Sequence, residues 1–433
     1  MKIGLYVFDN DCRLKDNPSL VTLASQVERL ICVYLPNNNI WSSSKAQCSK
    51  SVPASAYEEA TVAALQQELD ARHQALYIVP EANKLQGLVA IIRNCAVTHI
   101  GRSVHSGADE HKYWLRLQTH CPEVKFISEY AHTLFTPDML PFSLNELPPS
   151  FTPFRKRVEA LVPNEPLPAP QLPPKPPNTS TLVKFTATGD YSGDFYAGEK
   201  QAQDKLKQYF QTDAAKQYKE TRNALCGDGF STQFSPILAT GAVSPRQVKH
   251  ALNQFEHQYG ANESTYWIWF ELLWREYFQW YALKHQHRLF AFTGVKNKKP
   301  TTSFYPERFQ KWCQSKTPSA FINAIMTELR ETGWISNRAR QITASYFVNE
   351  LQLDWRYGAA FFEQNLIDYD VAANWGNWQY IAGVGADPRG GRHFNLAKQQ
   401  SMFDPNGEYI MRWRGTSHKL LNTRDYVDWP LEE

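Results

Sequence analysis

Two carboxylates two residues apart, Asp368 and Asp370, are followed by Asn374 and then by Trp375, Trp378 and Tyr380. Acids, an amide and indoles packed together suit a large, flat aromatic ligand with a polar edge, since a buried acid needs a partner. The same run, Leu366–Gly385, also reads as a helix C-terminus followed by a Gly-broken loop, with the Asp residues as caps. A divalent ion on Asp368 and Asp370 is the weaker option, because no third carboxylate stands near them.

Other stretches offer partners for such a site. Tyr266–Leu283 is apolar almost all round, which predicts a buried central helix. Glu271, Trp274, Arg275 and Phe278 share one of its faces. Either Glu271 and Arg275 form a structural ion pair, or this face lines a cavity and Arg275 reaches a phosphate or flavin edge. The STQFSP run, Ser231–Pro236, offers hydroxyls and free N–H groups at a helix start, suited to a pyrophosphate; a plain Ser cap is the commoner use. Asn337 and Arg340 sit on one predicted helix with Arg338, and such a pair near two Asp residues could fix a polar ring edge. Asp387–Lys398, with Arg389, Arg392, His393 and Lys398, reads as a basic loop. Basic clusters interleaved with aromatics fit a nucleic-acid rim, although solvated charge is commoner.

These residues need elements to position them. Residues 1–135 alternate strands (Ile3–Phe8, Leu30–Leu35, Leu76–Val79, Val97–Arg102, Val124–Ile127) with helices (Asn17–Gln26, Ala54–His73, Lys84–Cys95, Asp109–His120). That alternation predicts an α/β domain with a doubly wound parallel sheet. No GxGxxG follows the first strand, so the dinucleotide fingerprint is absent. Residues 136–190 are Pro-rich and read as a long, semi-rigid connector. Residues 191–433 read as a large all-α domain, with helices over Glu199–Gln211, Pro236–Thr240, Pro245–Tyr259, Thr265–His285, Pro306–Ser315, Ser319–Thr332, Asn337–Gln352 and Tyr357–Leu366.

Composition narrows the class. The 433 residues carry a net charge of only +3, which excludes whole-surface attraction to nucleic acid but not a local basic groove. Seven scattered Cys without zinc spacing fit a reducing cytosol. No apolar run is long enough to span a bilayer, so a soluble, cytoplasmic protein is the expectation. The 13 Trp suit aromatic ligands, stacking or electron relay.

Motifs along nearly the whole chain resemble those of the photolyase and cryptochrome superfamily, and within it the DASH-type cryptochromes. They are FDNDCRLKDNPSL, LPFSLNELPPSFTPFRKRVE, YKETRN, STQFSPILATGAVSPR, FELLWREYF, TGWISNRARQITAS and VGADPRGGRHFNLAKQQSMFDPNGEYI, in the family's order. The resemblance implies a bent, non-covalent FAD in the helical domain. Tyr218, Ser231, Thr232, Phe234, Ser235 and Arg275 would hold its phosphates and adenosine side. Asn337, Arg340, Asp368, Asp370 and Asn374 would frame the flavin ring, with Asp368 paired to Arg340.

The implied reaction is blue-light-driven repair of cyclobutane pyrimidine dimers by an electron from excited reduced FAD. Glu271 would hydrogen-bond the dimer and Trp274 pack against it, with Arg338 and Arg392 on the DNA side. Tyr380 and Gln341 stand where dimer photolyases outside the DASH group carry a stacking Trp and a Met, which implies a preference for single-stranded DNA. Trp378 and Trp355 match two members of the family's tryptophan chain. The third position reads Thr302, and Trp312 or Tyr305 are candidates to replace it. A 5,10-methenyltetrahydrofolate antenna is a family expectation, with Glu110 as its candidate ligand. A monomer is expected. The alternative is a blue-light photoreceptor signalling through a partner, and an RNA partner stays open.

Overall fold

The computed structural model describes residues 1–36, 50–79, 84–189, 191–227 and 229–419. Five strands, β1 Ile3–Phe8, β2 Arg29–Tyr34, β3 Leu76–Ile78, β4 His99–Ser103 and β5 Lys125–Glu129, form one all-parallel sheet in the order β3-β2-β1-β4-β5. Helices α1 Pro18–Gln26, α2 Val52–Asp70, α3 Lys84–Asn94 and α4 Ala108–His120 make the crossovers that parallel pairing requires. β1 is buried at all six positions, as expected for a central strand covered on both faces.

The Pro-rich stretch departs from expectation. It contains an eight-residue helix, α5 Phe151–Val158, whose Pro153 sits in the first turn where no N–H is needed. Further on, its backbone lies against the sheet domain: Leu167 O accepts from Asp16 N at 2.8 Å and Pro174 O from Leu30 N at 3.1 Å. Val183 O accepts from Ile78 N at 2.8 Å, so the run covers the free edge of β3. Asp190, at its end, lies outside the described residues.

The described elements of the C-terminal part are helices: α6 Glu199–Phe210, α7 Ala214–Thr221, α8 Ser235–Ala239, α9 Pro245–Tyr259, α10 Glu263–His285, α11 Pro306–Cys313, α12 Ala320–Thr332, α13 Asn337–Asn349, α14 Trp355–Asn365, α15 Val371–Ala382, α16 Leu396–Phe403 and α17 Glu408–Arg412. α10 carries 13 buried residues and is the axis of the largest apolar cluster. α15 is unexpected as a helix. Asp370 caps its start by accepting from Ala373 N at 3.0 Å, and Gly383 ends it in the left-handed conformation, φ 73°. Gly376 lets α15 close on α10, because a Cβ there would strike the Phe278 ring. The basic run also differs from expectation, in that its last residues, from Leu396, belong to α16.

The two halves are joined by buried charge. Asp16 accepts from Arg246 Nε at 3.0 Å, with both side chains almost wholly buried. Arg13, fully buried, donates to the carbonyls of Asp16, Gly241 and Ala131 at 2.8, 2.8 and 2.9 Å. The FDNDCRLKDNPSL motif therefore builds the seam between the halves.

Candidate active site

A cavity of about 470 Å³ opens between α8, α10, α13 and α15. Tyr218, Ser231, Thr232, Phe234, Ser235, Glu271, Trp274, Arg275, Asn337, Arg338, Arg340, Gln341, Asp368, Asp370, Asn374, Trp378 and Tyr380 all line it. Arg392, Trp355 and Glu110 do not.

Of the two alternatives for this face of α10, the cavity lining is the one observed, and Glu271 and Arg275 do not pair with each other. Glu271 pairs with Arg222 instead. Burial pushes its carboxyl upward and the Arg222 guanidinium pulls it back. Arg275 donates to His132 O at 2.6 Å and to Asp370 at 3.2 Å. Gln279 Nε2 adds bonds to both Asp370 oxygens, at 3.0 and 2.7 Å.

The two acids of the DYD run thus differ. Asp370 is a helix cap saturated by protein donors, so any ligand must displace Arg275 or Gln279 to reach it. Asp368 accepts from Arg340 Nη2 at 2.7 Å and keeps Oδ1, buried, without a partner. Asn374 donates Nδ2 to Ala359 O at 3.0 Å, which leaves its carbonyl oxygen as an acceptor.

In the STQFSP run the Ser231 and Thr232 hydroxyls bond within their own loop just before α8. They accept from Gln233 N and Phe234 N at 3.2 and 3.3 Å, and α8 is only five residues long. Ser235 is no cap, since it is the first residue of α8 and accepts from Trp334 Nε1 at 3.3 Å.

At the mouth, Trp274 stacks on Phe151 of α5, centroids 3.8 Å apart, and meets Tyr380 edge-on at 5.7 Å. The Tyr380 hydroxyl accepts from Arg392, which also pairs with Asp387 at 3.0 Å. Arg338 donates to Asn223 at 2.7 Å and lies 5.1 Å from the Phe403 ring centre. Trp378 touches Phe362, Phe347 and Trp312, whereas Trp355 meets Trp375 at 5.8 Å. Trp312 therefore packs on Trp378 rather than extending from Trp355. Glu110 stands on α4, 3.7 Å from His105.

Residues 4–173 match the DNA photolyase domain and residues 267–430 match the FAD binding domain of DNA photolyase. The cryptochrome DASH of Vibrio parahaemolyticus is 45% identical over 99% of this chain and 97% of its own length. That of Idiomarina loihiensis is 46% identical over the same shares. The chain belongs to the DASH cryptochromes of the photolyase family. The crystal structure of a Synechocystis cryptochrome superposes with a TM-score of 0.87 at 32% identity, covering 95% of this chain and 88% of that one. A Sulfolobus tokodaii photolyase with two FAD molecules shares the fold, at a TM-score of 0.76 and 23% identity over 95% of this chain and 90% of that one.

Membership of this family brings an FAD-binding domain, and the cavity suits that cofactor. Its lining mixes Trp and Phe faces with a buried unpartnered carboxylate oxygen and a cation, as a flat ring with a polar edge requires. Among the described residues, no helix is long and apolar enough to cross a membrane.

Sequence reasoning missed Arg222 and Gln279. Gln279 stands four residues after Arg275 on the same face of α10, so helical spacing alone could have found it. Arg222 follows the end of α7, and no local pattern ties it to Glu271.

Proposed function

We propose that this chain is a blue-light-driven photolyase acting on cyclobutane pyrimidine dimers, with single-stranded DNA preferred. The observation that carries the reading is that Glu271, Trp274 and Tyr380 share one cavity with Asp368, Arg340 and Asn374. A substrate group and a flavin group would then meet inside one enclosure. Reduced FAD, when bound and excited, supplies the electron that splits the dimer and takes it back.

The chain's own residues bind and orient. Asp368, with its free Oδ1, and Arg340 take the ring edge, joined by Asn337 and by Asp370 after exchange of a donor. Asn374 offers an amide oxygen rather than an acid or thiol. Tyr218, Ser231, Thr232, Phe234, Ser235 and Arg275 hold the phosphate and adenosine side. Glu271 accepts hydrogen bonds from the flipped-out dimer, and Trp274, fixed by Phe151, packs against it. Gln341, Arg338 and Arg392 meet the DNA, and Trp378 and Trp355 relay electrons to the flavin. Residues 1–135 and 191–433 act as the antenna-type and catalytic domains, with the Pro-rich run between them. Glu110 would hold a folate antenna, and Glu363 and Tyr369 also face that carboxylate.

Glu271→Ala tests the reading. Repair should fall by about ten- to a hundredfold, the worth of a charge-assisted hydrogen bond, while bound flavin is retained. Loss of flavin with repair per flavin unchanged would make Glu271 a structural partner of Arg222 and contradict its substrate role.

A further inference from the structure

Trp355, the relay residue named above, is joined to Trp375, Tyr369 and Glu363 in one connected set. Trp355 and Trp375 meet edge to face at 79° with centroids 5.8 Å apart. The Trp375 indole N–H lies between two oxygens, Glu363 Oε2 at 3.1 Å and the Tyr369 hydroxyl at 3.2 Å. Tyr369 in turn hydrogen-bonds Glu363. Thr302, at the position of the expected third tryptophan, has no π system and buries its hydroxyl without a partner.

We propose that Trp375 and Tyr369 continue the electron chain beyond Trp355, with Tyr369 as terminal donor and Glu363 as its proton acceptor. This rests on the reading that Trp378 and Trp355 relay electrons to light-excited flavin, the oxidant at the head of the chain. Once Trp355 has lost an electron, Trp375 replaces it and becomes a radical cation. Tyr369 then gives one electron to Trp375, its O–H bond breaks, and the proton passes to a Glu363 carboxylate oxygen. The products are neutral Trp375, a neutral tyrosyl radical and a neutral Glu363 acid. No net charge is left on the two aromatic rings in this poorly solvated region, which favours the step.

Geometry also sets its pH response. Burial raises the Glu363 carboxyl to about 7, and Tyr369 and Trp375 donate to it. Glu110 and Lys50 face it as well, the former raising and the latter lowering it. Burial holds the Tyr369 phenol protonated, so its proton leaves only when Glu363 is ionised.

Flash photolysis and electron paramagnetic resonance of the flavin-loaded chain test this, together with thermal unfolding in the dark. A neutral tyrosyl radical is expected, its yield rising about tenfold from about pH 6 to about pH 8 as Glu363 ionises. Tyr369→Phe and Trp375→Phe should each remove that signal while oxidation of Trp378 persists. Glu363→Gln should flatten the pH response and remove a titration near neutrality from the dark unfolding profile. A tyrosyl signal that survives Tyr369→Phe overturns the proposal. So does its absence in a chain whose flavin reduction is lost in Trp378→Phe, which leaves the relay intact. No light-driven oxidation of Trp378 at all overturns both.

Discussion

Tyr380 is the residue on which the proposed preference for single-stranded DNA rests. It presents a phenol edge-on to Trp274, and its hydroxyl is held by Arg392. An indole there would offer a larger stacking face to a flipped base. Tyr380→Trp should therefore improve repair of duplex relative to single strand by roughly tenfold, within the range of one base–aromatic stack. Parallel repair assays on the two substrates measure it, and an unchanged ratio would remove Tyr380 from the specificity argument. Its place beside Trp274 was open to sequence reasoning only through the family resemblance, because the two residues lie on helices far apart in the chain. The DYD run was half legible. From the stretch alone its two acids read more readily as caps than as ring contacts, and the structure makes Asp370 the cap and leaves Asp368 the free oxygen.

At the scale of elements, the close approach of α10 and α15 shapes the cavity wall. Gly376→Ala would push a methyl into Phe278, costing about 1–3 kcal/mol by overpacking, and should lower flavin occupancy as well as the denaturation midpoint. α15 was hidden from sequence because Asn374, Gly376 and Asn377 are poor helix formers; its caps and tertiary packing override propensity. α10, by contrast, announced itself through its apolar run. Glu328 on α12 accepts from the Tyr409 hydroxyl of α17, and burial raises its carboxyl from 4.5 to about 7. The folded state then binds more protons than the unfolded one between those values, so this group's contribution to stability falls as pH rises through that window. Glu328→Gln should flatten that part of the profile of melting temperature against pH. An unchanged slope would show that Glu328 does not titrate there.

The whole molecule depends on the seam between the sheet domain and the helices. Asp16→Ala would leave Arg246 buried without its carboxylate, costing about 3–5 kcal/mol. Chemical denaturation should show either a lower midpoint or separate unfolding of the two halves; an unshifted single transition would mean the pair is replaceable. The alternation of strands and helices in residues 1–135 was plain from periodicity, yet the seam was not, because Asp16 and Arg246 lie 230 residues apart. Light-driven dimer repair is the activity proposed for the molecule as a whole. Its most direct measurement is illumination of the chain, loaded with reduced FAD, with dimer-containing oligonucleotides as single strands and as duplexes. Restored pyrimidines are expected in both, faster in the single strand, and none in the dark. Unrepaired dimers in both after illumination, with flavin bound and reduced, would contradict it.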